Sequence, residues 1–235
     1  MVVQIIIYTI LLLGSTLSYT AKKLTLAGAA TGAVVGLLMY KSAGLMGLMI
    51  LAAFFISAIW ATKWQVAKKA AIGAAEENKG RRTAGQVLAN GCVAALLGAA
   101  TWLFPENIAV IKLMIAGSFA AATADTLSSE LGIVYGRNFF NILTFKKDQR
   151  GLDGVISFEG TLIGVAGASL IALVYSLFMG WSISFLWIIL AGFTGNVVDS
   201  ILGASLERKG WIGNNVVNFL NTAVGAGVCW VLIMF

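Results

Sequence analysis

The chain is divided into apolar runs, each long enough or nearly long enough to cross a bilayer. A helix needs about 20 apolar residues to span the hydrocarbon core. We count eight such runs, with approximate limits 2–19, 24–40, 43–62, 83–104, 108–131, 157–179, 183–206 and 215–235. The runs lack the alternation of a barrel strand, and backbone groups in lipid must be hydrogen-bonded within their own segment. The sequence therefore predicts an all-α, polytopic membrane helix bundle with about eight transmembrane helices, in a single domain covering residues 1–235.

Composition supports this class and excludes several kinds of catalysis. Hydrophobic residues make up 59% of the chain and charged residues 11%, whereas soluble domains have roughly 25% charged residues. The chain has no histidine, which excludes a Ser-His triad and a histidine-ligated metal. Cys92 and Cys229 lie in separate apolar runs and match no metal or redox spacing. We therefore expect an integral membrane protein whose chemistry uses carboxylates, amides and basic side chains.

The basic residues between the runs predict the orientation. The connections after runs 1, 3, 5 and 7 contain 14 of the 16 Lys and Arg residues, and only Lys41 and Lys112 fall elsewhere. By the positive-inside rule, these connections are cytoplasmic, with loops at approximately 63–82 and 132–156, and both termini are outside. We expect a multi-pass protein of the cell membrane with a cytoplasmic active face. The net charge of +6 follows from this bias, so we expect no nucleic-acid partner.

Polar side chains gather at the predicted cytoplasmic ends of five runs. Run 5 ends with "ATADTLSSELG", which carries Asp125 and Glu130, and run 7 carries Asn196 and Asp199. Runs 4, 6 and 8 begin in the same layer with a further set of polar residues: Gln86, Asn90, Glu159, Thr161, Asn214, Asn215 and Asn218. An ionisable group facing hydrocarbon costs several kcal/mol, so we expect these groups to face the bundle interior. A role as polar contacts between helices remains the alternative.

Runs 5 and 7, which both run toward the predicted cytoplasmic side, each carry an aspartate at a similar depth. "AGSFAAATADTL" and "AGFTGNVVDSIL" both lead from Ala-Gly to an Asp that is followed by a hydroxyl residue and an aliphatic residue. Such a similarity suggests an internal repeat. Paired carboxylates in a histidine-free, oxygen-rich setting favour a hard cation. We therefore expect Asp125 and Asp199 to hold Mg²⁺, with Glu130 as a third ligand or a partner of the ligands.

The loop between runs 5 and 6 provides positive charge close to this layer. Lys147 and Arg150 precede Gly151 and Gly154, and the chain then enters run 6. A Gly-bearing basic loop that leads into a helix N-terminus is a plausible phosphate cradle. The stretch "RRTAGQ" at Arg82 repeats this arrangement before run 4. An ordinary positive-inside loop is the alternative interpretation.

Five motifs occur together in a fixed order: "GRRTAGQVLANG", "ATADTLSSELG", "GLDGVISFEGTLIGVAGA", "GNVVDSILGASLERKG" and "NNVVN". As a set they resemble the integral membrane family of unknown function 92, which includes the phytyl-phosphate kinase of plant tocopherol synthesis. The resemblance covers roughly residues 25–235. It implies a phosphotransferase that moves a phosphoryl group from a nucleoside triphosphate, with CTP the first candidate, to a membrane isoprenoid monophosphate. Phytyl and geranylgeranyl phosphate are the expected types of lipid substrate, and the product is the diphosphate.

The resemblance also indicates which residues form the site. Its acidic motifs fall on Asp125, Glu130 and Asp199, which we take as the catalytic and Mg²⁺-binding candidates. Together with the residues named above, its other motifs give the candidates for binding nucleotide and lipid phosphate: Arg82, Gln86, Asn90, Lys147, Arg150, Gly154, Glu159, Gly160, Thr161, Asn196, Asn214, Asn215 and Asn218.

Two other functions remain open at this point. Eight helices, a suggested repeat and intramembrane carboxylates also describe a cation-coupled transporter or a lipid flippase. Transporter sites lie near the midplane, however, whereas this chain concentrates its polar groups on one side. A membrane cytidylyltransferase would bind a nucleoside triphosphate through the same kinds of residue.

Overall fold

The computed structural model describes residues 2–71 and 80–235 and is dominated by helices. The helices are α1 Val2–Thr20, α2 Leu26–Lys63, α3 Val66–Ala70, α4 Ala84–Ala100, α5 Ile108–Tyr135, α6 Phe158–Met179, α7 Ser184–Leu202 and α8 Asn214–Leu232. A 3₁₀ turn at Pro105–Asn107 precedes α5, and a π-helical turn at Gly203–Glu207 continues α7. Two-residue strands, β1 Phe140–Asn141 and β2 Val155–Ile156, form an antiparallel hairpin. The predicted class, a polytopic helical membrane protein, is confirmed.

Helix α2 folds back on itself at Gly44. Within the described residues, seven helices are long and apolar enough to span a membrane, and α2 is twice the usual length, at 38 residues. Gly44 has φ 62° and ψ −145°, a conformation that glycine adopts at little cost. A Cβ built at Gly36 would lie 3.6 Å from Leu51, although 15 residues of straight helix would separate them by about 22 Å. The two arms are therefore antiparallel, and with the other six long helices of the described residues they allow eight membrane passes. The reversal at Gly44 lies close to residues 41–42, the predicted gap between runs 24–40 and 43–62.

Helix α5 is the centre of the bundle. It packs against α2, α4, α6, α7 and α8, and every residue from 115 to 124 is buried. Small side chains allow this close packing. A Cβ built at Gly117 would lie only 2.5 Å from the carbonyl oxygen of Gly225 on α8. The end of α5 that carries Asp125 and Glu130 is consequently surrounded by other helices.

The connections that are rich in basic residues lie together at one end of the bundle, here called the polar end. The backbone N–H of Thr25 donates to the carbonyl of Arg82 at 3.0 Å, which joins the connection after α1 to the segment before α4. Arg208 Nη1 donates to Asp148 Oδ2 at 2.8 Å, which joins the end of α7 to the hairpin loop. The predicted loop at 132–156 is shorter in the structure because α5 continues to Tyr135. The predicted loop at 63–82 contains α3, and its residues 72–79 lie outside the described residues.

Candidate functional site

A cavity of about 720 Å³ opens at the polar end. The N-termini of α4, α6 and α8, the later turns of α5 and α7, and the loop that carries β2 form its walls. Of the 16 residues predicted for the site, 13 line this cavity: Arg82, Gln86, Asn90, Asp125, Glu130, Gly154, Gly160, Thr161, Asn196, Asp199, Asn214, Asn215 and Asn218. The shared polar layer inferred from helix orientation is thus a single space in the structure.

Asp125 and Asp199 face each other across this cavity. Their carboxyl groups lie within hydrogen-bonding range of one another, because α5 and α7 pack side by side at equal depth. Asn221 Nδ2 on α8 donates to Asp199 Oδ1 at 3.4 Å. Ser128 Oγ donates to Asn196 Oδ1 at 2.9 Å and so links α5 to α7 one turn away. The proximity of the two aspartates is as predicted, whereas their binding of a metal stays a prediction.

The cavity carries an excess of negative charge. Among the described residues that line it, five are acidic and one, Arg82, is basic; the acidic residues are Asp125, Glu130, Asp153, Asp199 and Glu207. Arg82 is buried, stacks over the Phe54 ring at 5.6 Å and lies within electrostatic range of Asp125. Lys69 pairs with Glu130 and Arg82 lies near Asp125, so acidic groups still outnumber basic ones around the cavity, and such a partly desolvated space favours bound cations.

Glu130 has a partner of its own. Lys69 on α3 forms an ion pair with its carboxylate, and the lysine side chain is only 2% exposed. The same ammonium group donates to the carbonyl oxygens of Ala61 at 2.7 Å and Thr62 at 3.2 Å, at the end of α2. Glu130 therefore faces the cavity as part of an ion pair, within electrostatic range of Asp125. The described residues contain no group of three acidic residues arranged as a metal site, so the structure gives no support to a role of Glu130 as a third metal ligand, and its predicted role as a partner of the ligands stays a prediction.

The N-termini of α4, α6 and α8 line the same cavity as the carboxylates, and they differ in how they are capped. Thr83 and Gln86 form a reciprocal capping box at α4, with the Thr83 N–H donating to Gln86 Oε1 at 2.9 Å. Ser157 Oγ accepts from the Gly160 N–H at 3.1 Å at α6. Helix α8 begins after Gly213, which has no side chain to cap it. The Val216 N–H donates to the Gly213 carbonyl at 2.9 Å, which leaves the N–H groups of Asn214 and Asn215 at the start of the helix for an anion in the cavity.

Three predicted residues do not line the cavity: Lys147, Arg150 and Glu159. Lys147 is exposed, and Arg150 lies against the Phe139 ring at 5.9 Å. Glu159 accepts from the Arg137 N–H at 3.3 Å. The hairpin folds the loop so that its glycines face the cavity while its basic side chains do not. The predicted phosphate-binding roles of Lys147 and Arg150, and the predicted binding role of Glu159, therefore have no geometric support.

Arg208 fixes this loop to the end of α7. It donates through Nε to the carbonyl of Asp153 and through Nη1 to Asp148. The hydrogen bond from Arg208 holds the pKa of Asp148 below its usual range. Gly154, the next residue after Asp153, has φ +70°, and a Cβ built there would overlap with Ala204. The loop thus approaches the π-helical turn closely enough to require glycine.

Asp153 and Glu207 were not predicted as site residues. Glu207 continues the helical stripe of Asn196, Asp199 and Gly203 at i+4 from Gly203, so this spacing could have identified it. Its neighbours Arg208 and Lys209 made the segment resemble an ordinary basic helix end. For Asp153, which precedes a loop glycine, no periodic signal exists.

The donor set of the cavity fits Mg²⁺. It offers carboxylate and amide oxygens, including Asn90 Oδ1 and Asn218 Oδ1, which are buried without a hydrogen-bond partner among the described residues. In the part of the chain described, no group of three or more His, Cys, Asp or Glu residues has the arrangement of a complete metal site. Mg²⁺ is commonly held by one or two carboxylates together with substrate phosphates. Asp125 and Asp199 are the residues that meet this description.

Comparison with known proteins shows extensive similarity along the chain. Protein VTE6, chloroplastic, of Arabidopsis thaliana is 34% identical over 234 residues, covering 96% of this chain and 69% of the relative. An uncharacterized membrane protein of Methanocaldococcus jannaschii is 37% identical, covering 88% of this chain and 84% of the relative. One of Synechocystis sp. is 35% identical, covering 83% and 77%. No solved structure gives a significant match. The family described as integral membrane protein DUF92 matches residues 9–226, and the chain belongs to this family.

Proposed function

We propose that the protein is a kinase that transfers the γ-phosphoryl group of a nucleoside triphosphate to a membrane isoprenoid monophosphate. The first candidate for the nucleotide is CTP, and the proposed lipid is of the phytyl or geranylgeranyl phosphate type. Family membership and the similarity to Protein VTE6 support a function related to prenyl phosphates. The nucleotide, the metal and the face of the membrane on which the reaction occurs are parts of this proposal.

The observation that carries the proposal is the charge pattern of the cavity. Two facing aspartates lie beside three helix N-termini at one end of a membrane-embedded bundle. Helix N-termini favour anions, whereas the carboxylates favour cations. A site that binds both a polyphosphate and its accompanying cation needs these two features together. Phosphoryl transfer in turn depends mainly on positioning and charge neutralisation.

Each part of the cavity has a role in this reaction. Asp125 and Asp199 would hold Mg²⁺, which when bound supplies neutralisation of the charge on the phosphoryl group. Arg82 and the uncapped N-terminus of α8 bind phosphate oxygens, and Asn214 and Asn218 orient them. An oxygen of the lipid phosphate attacks the γ-phosphorus, the bond from that phosphorus to the β–γ bridging oxygen breaks, and the nucleoside diphosphate leaves. The attacking oxygen is already ionised near neutral pH, so the reaction needs no strong general base.

The two competing functions differ in what they require. A cation-coupled transporter needs polar access from both sides, yet the described helices carry only Lys41, Glu106 and Lys112 as charged residues toward the opposite end. A cytidylyltransferase would use the same cavity, but the lipid phosphate would attack the α-phosphorus and pyrophosphate would leave.

A labelling experiment separates these possibilities. Purified protein is incubated with Mg²⁺, phytyl or geranylgeranyl monophosphate, and CTP that carries radiolabel either in the γ-phosphate or in the cytosine. The kinase transfers the γ-label to the lipid and leaves the cytosine label in CDP. Cytosine label in the lipid would instead establish the cytidylyltransferase. No labelled lipid with any of the four nucleoside triphosphates would contradict both reactions.

A further inference from the structure

A second depression lies on the outer surface of the bundle, away from the catalytic cavity. We call it the lateral groove. It has a volume of about 510 Å³ and is lined by Lys23, Phe55, Ile56, Ile59, Trp60, Lys63 and Trp64. None of these residues lines the catalytic cavity. Its volume lies within the range of small-molecule sites, roughly 300–1,000 Å³.

The groove is apolar along its length and basic at one end. Ile56 is 66% exposed and Trp60 is 51% exposed, so on a membrane-spanning helix both side chains face lipid. Seven residues, or about 10 Å of helix, separate Ile56 from Lys63. This span covers the depth from a lipid head group to the first part of its acyl chains. Trp60 lies where tryptophans concentrate in membrane proteins, at the boundary between hydrocarbon and water.

The basic end consists of two lysines that face each other. Lys23 and Lys63 both line the groove, and the proximity of Lys63 lowers the pKa of Lys23. Neither lysine forms an ion pair with an acidic residue of the described chain. Two like charges held together with no counter-charge among the residues that the structure describes are unfavourable on their own, and an anion between them would relieve the repulsion.

The aromatic wall of the groove is held in place by the protein. Trp64 Nε1 donates to the Tyr135 hydroxyl at 2.8 Å, which joins the end of α2 to the end of α5. The Trp60 and Trp64 rings lie 5.2 Å apart. The groove therefore has a fixed wall on which an acyl chain can pack.

The geometry points to a binding site for an anionic phospholipid of the surrounding bilayer, with its phosphate between Lys23 and Lys63 and its acyl chains along Ile56 and Trp60. A zwitterionic lipid has no net charge with which to compensate the lysine pair. A free phosphate would leave the apolar part of the groove unfilled. The inference rests on the charge and shape of the groove and does not depend on the proposed kinase reaction.

Native mass spectrometry of the purified protein tests this site. The protein is exchanged from detergent into mixtures of phosphatidylglycerol and phosphatidylcholine, and the bound lipids are counted. We expect wild-type protein to retain one phosphatidylglycerol in preference to phosphatidylcholine. In Lys23→Gln/Lys63→Gln this preference should fall about fivefold for each lysine, given the usual contribution of a basic side chain at an anionic membrane surface. Lys23→Arg/Lys63→Arg should retain it.

The matched control is Lys22→Gln/Lys68→Gln, which removes the same charge from the same end of the protein. Both of these lysines are exposed and neither lines the groove. The control should keep the wild-type preference. An equal loss in the control would show a general attraction of basic loops for anionic lipid and would overturn the specific site. Displacement of the lipid by soluble glycerol 3-phosphate would also overturn it, because the acyl chains would then contribute nothing.

Discussion

Lys69 and Glu130 form an ion pair in which the lysine is almost completely buried. The pair joins α3 to α5 at the edge of the cavity at the polar end, and the same ammonium group also binds two carbonyl oxygens at the end of α2. All three donors of the ammonium group are therefore used. This arrangement identifies Lys69 as a structural anchor for one wall of the cavity.

Replacement of Lys69 tests this role. Lys69→Met keeps much of the side-chain volume but leaves the Glu130 carboxylate, which is 14% exposed at the cavity wall, without its partner. We expect a loss of about 3–5 kcal/mol in stability, as is usual when one member of a buried pair is removed. The double variant Lys69→Met/Glu130→Gln should recover part of it. Thermal unfolding in detergent measures both effects, with the exposed neighbour in Lys68→Met as control. Equal unfolding temperatures for the Lys69 and Lys68 variants would contradict the anchoring role.

Arg208 and Asp148 give a second prediction, which concerns pH. The pKa of Asp148 is lowered in the folded protein by the Arg208 hydrogen bond, so the pair stabilises the loop above the unfolded pKa of roughly 3.9. This contribution is lost as the pH falls through the lower, folded pKa. Arg208→Gln should make the loop between α5 and α6 more susceptible to limited proteolysis at neutral pH, and acidification should change the variant less than the wild type. If the proteolysis rate of the loop depended on pH equally in wild type and in Arg208→Gln, the Arg208–Asp148 pair would be excluded as the cause of that dependence.

The helices could be predicted closely because the bilayer determines their length. The limits of runs 5 and 6 differ from α5 and α6 by only a few residues. The prediction that Asp125 and Asp199 lie close together needed only their equal depth on two helices that run in the same direction. Helices in a compact bundle turn their polar faces toward the bundle interior. These predictions depended on hydropathy and orientation, which are properties of whole segments.

The parts of the site that depend on local turns could not be predicted in the same way. Lys69 resembled a solvent-exposed positive-inside residue, and its burial depends on a reversal at Gln65, which has a left-handed φ of 49°. Lys147 and Arg150 had the expected charge, but the hairpin determines the direction of their side chains. Charge in a loop predicts the side of the membrane, whereas the residues in contact depend on how the loop folds.

Gly154 provides a test of close contact between the loop and α7. Gly154 and Gly210 have the same φ of +70°, but a Cβ at Gly210 would meet nothing within 4 Å, whereas one at Gly154 would overlap with Ala204. Gly210→Ala should therefore cost only the conformational strain, about 1 kcal/mol. Gly154→Ala adds the overlap, for which roughly 1–3 kcal/mol is typical, and displaces a cavity wall. The thermal unfolding temperature, and turnover in the proposed kinase assay, should both decrease more in Gly154→Ala than in Gly210→Ala. Equal effects of Gly154→Ala and Gly210→Ala would show that the loop can shift away from Ala204 at no cost.

Asp199→Asn separates a catalytic role of Asp199 from a structural one. Asparagine keeps the size of the side chain and can still hydrogen-bond to Asn221, but it lacks the charge that a magnesium ion requires. If Asp199 only joined helices, the change would cost about 1 kcal/mol of stability, near the average for such bonds, and turnover would scarcely change. If it holds the metal, prenyl-phosphate kinase activity should fall by a factor of about a hundred or more while the protein remains folded.

A second measurement does not depend on turnover: Mg²⁺ at about 100 times its dissociation constant should stabilise wild-type protein by about 2.7 kcal/mol, and this stabilisation should be absent from Asp199→Asn. Asp153→Asn, at the exposed edge of the same cavity, is the matched control and should keep most of the magnesium effect. Wild-type turnover and an unchanged response to Mg²⁺ in Asp199→Asn would exclude Asp199 as a metal ligand.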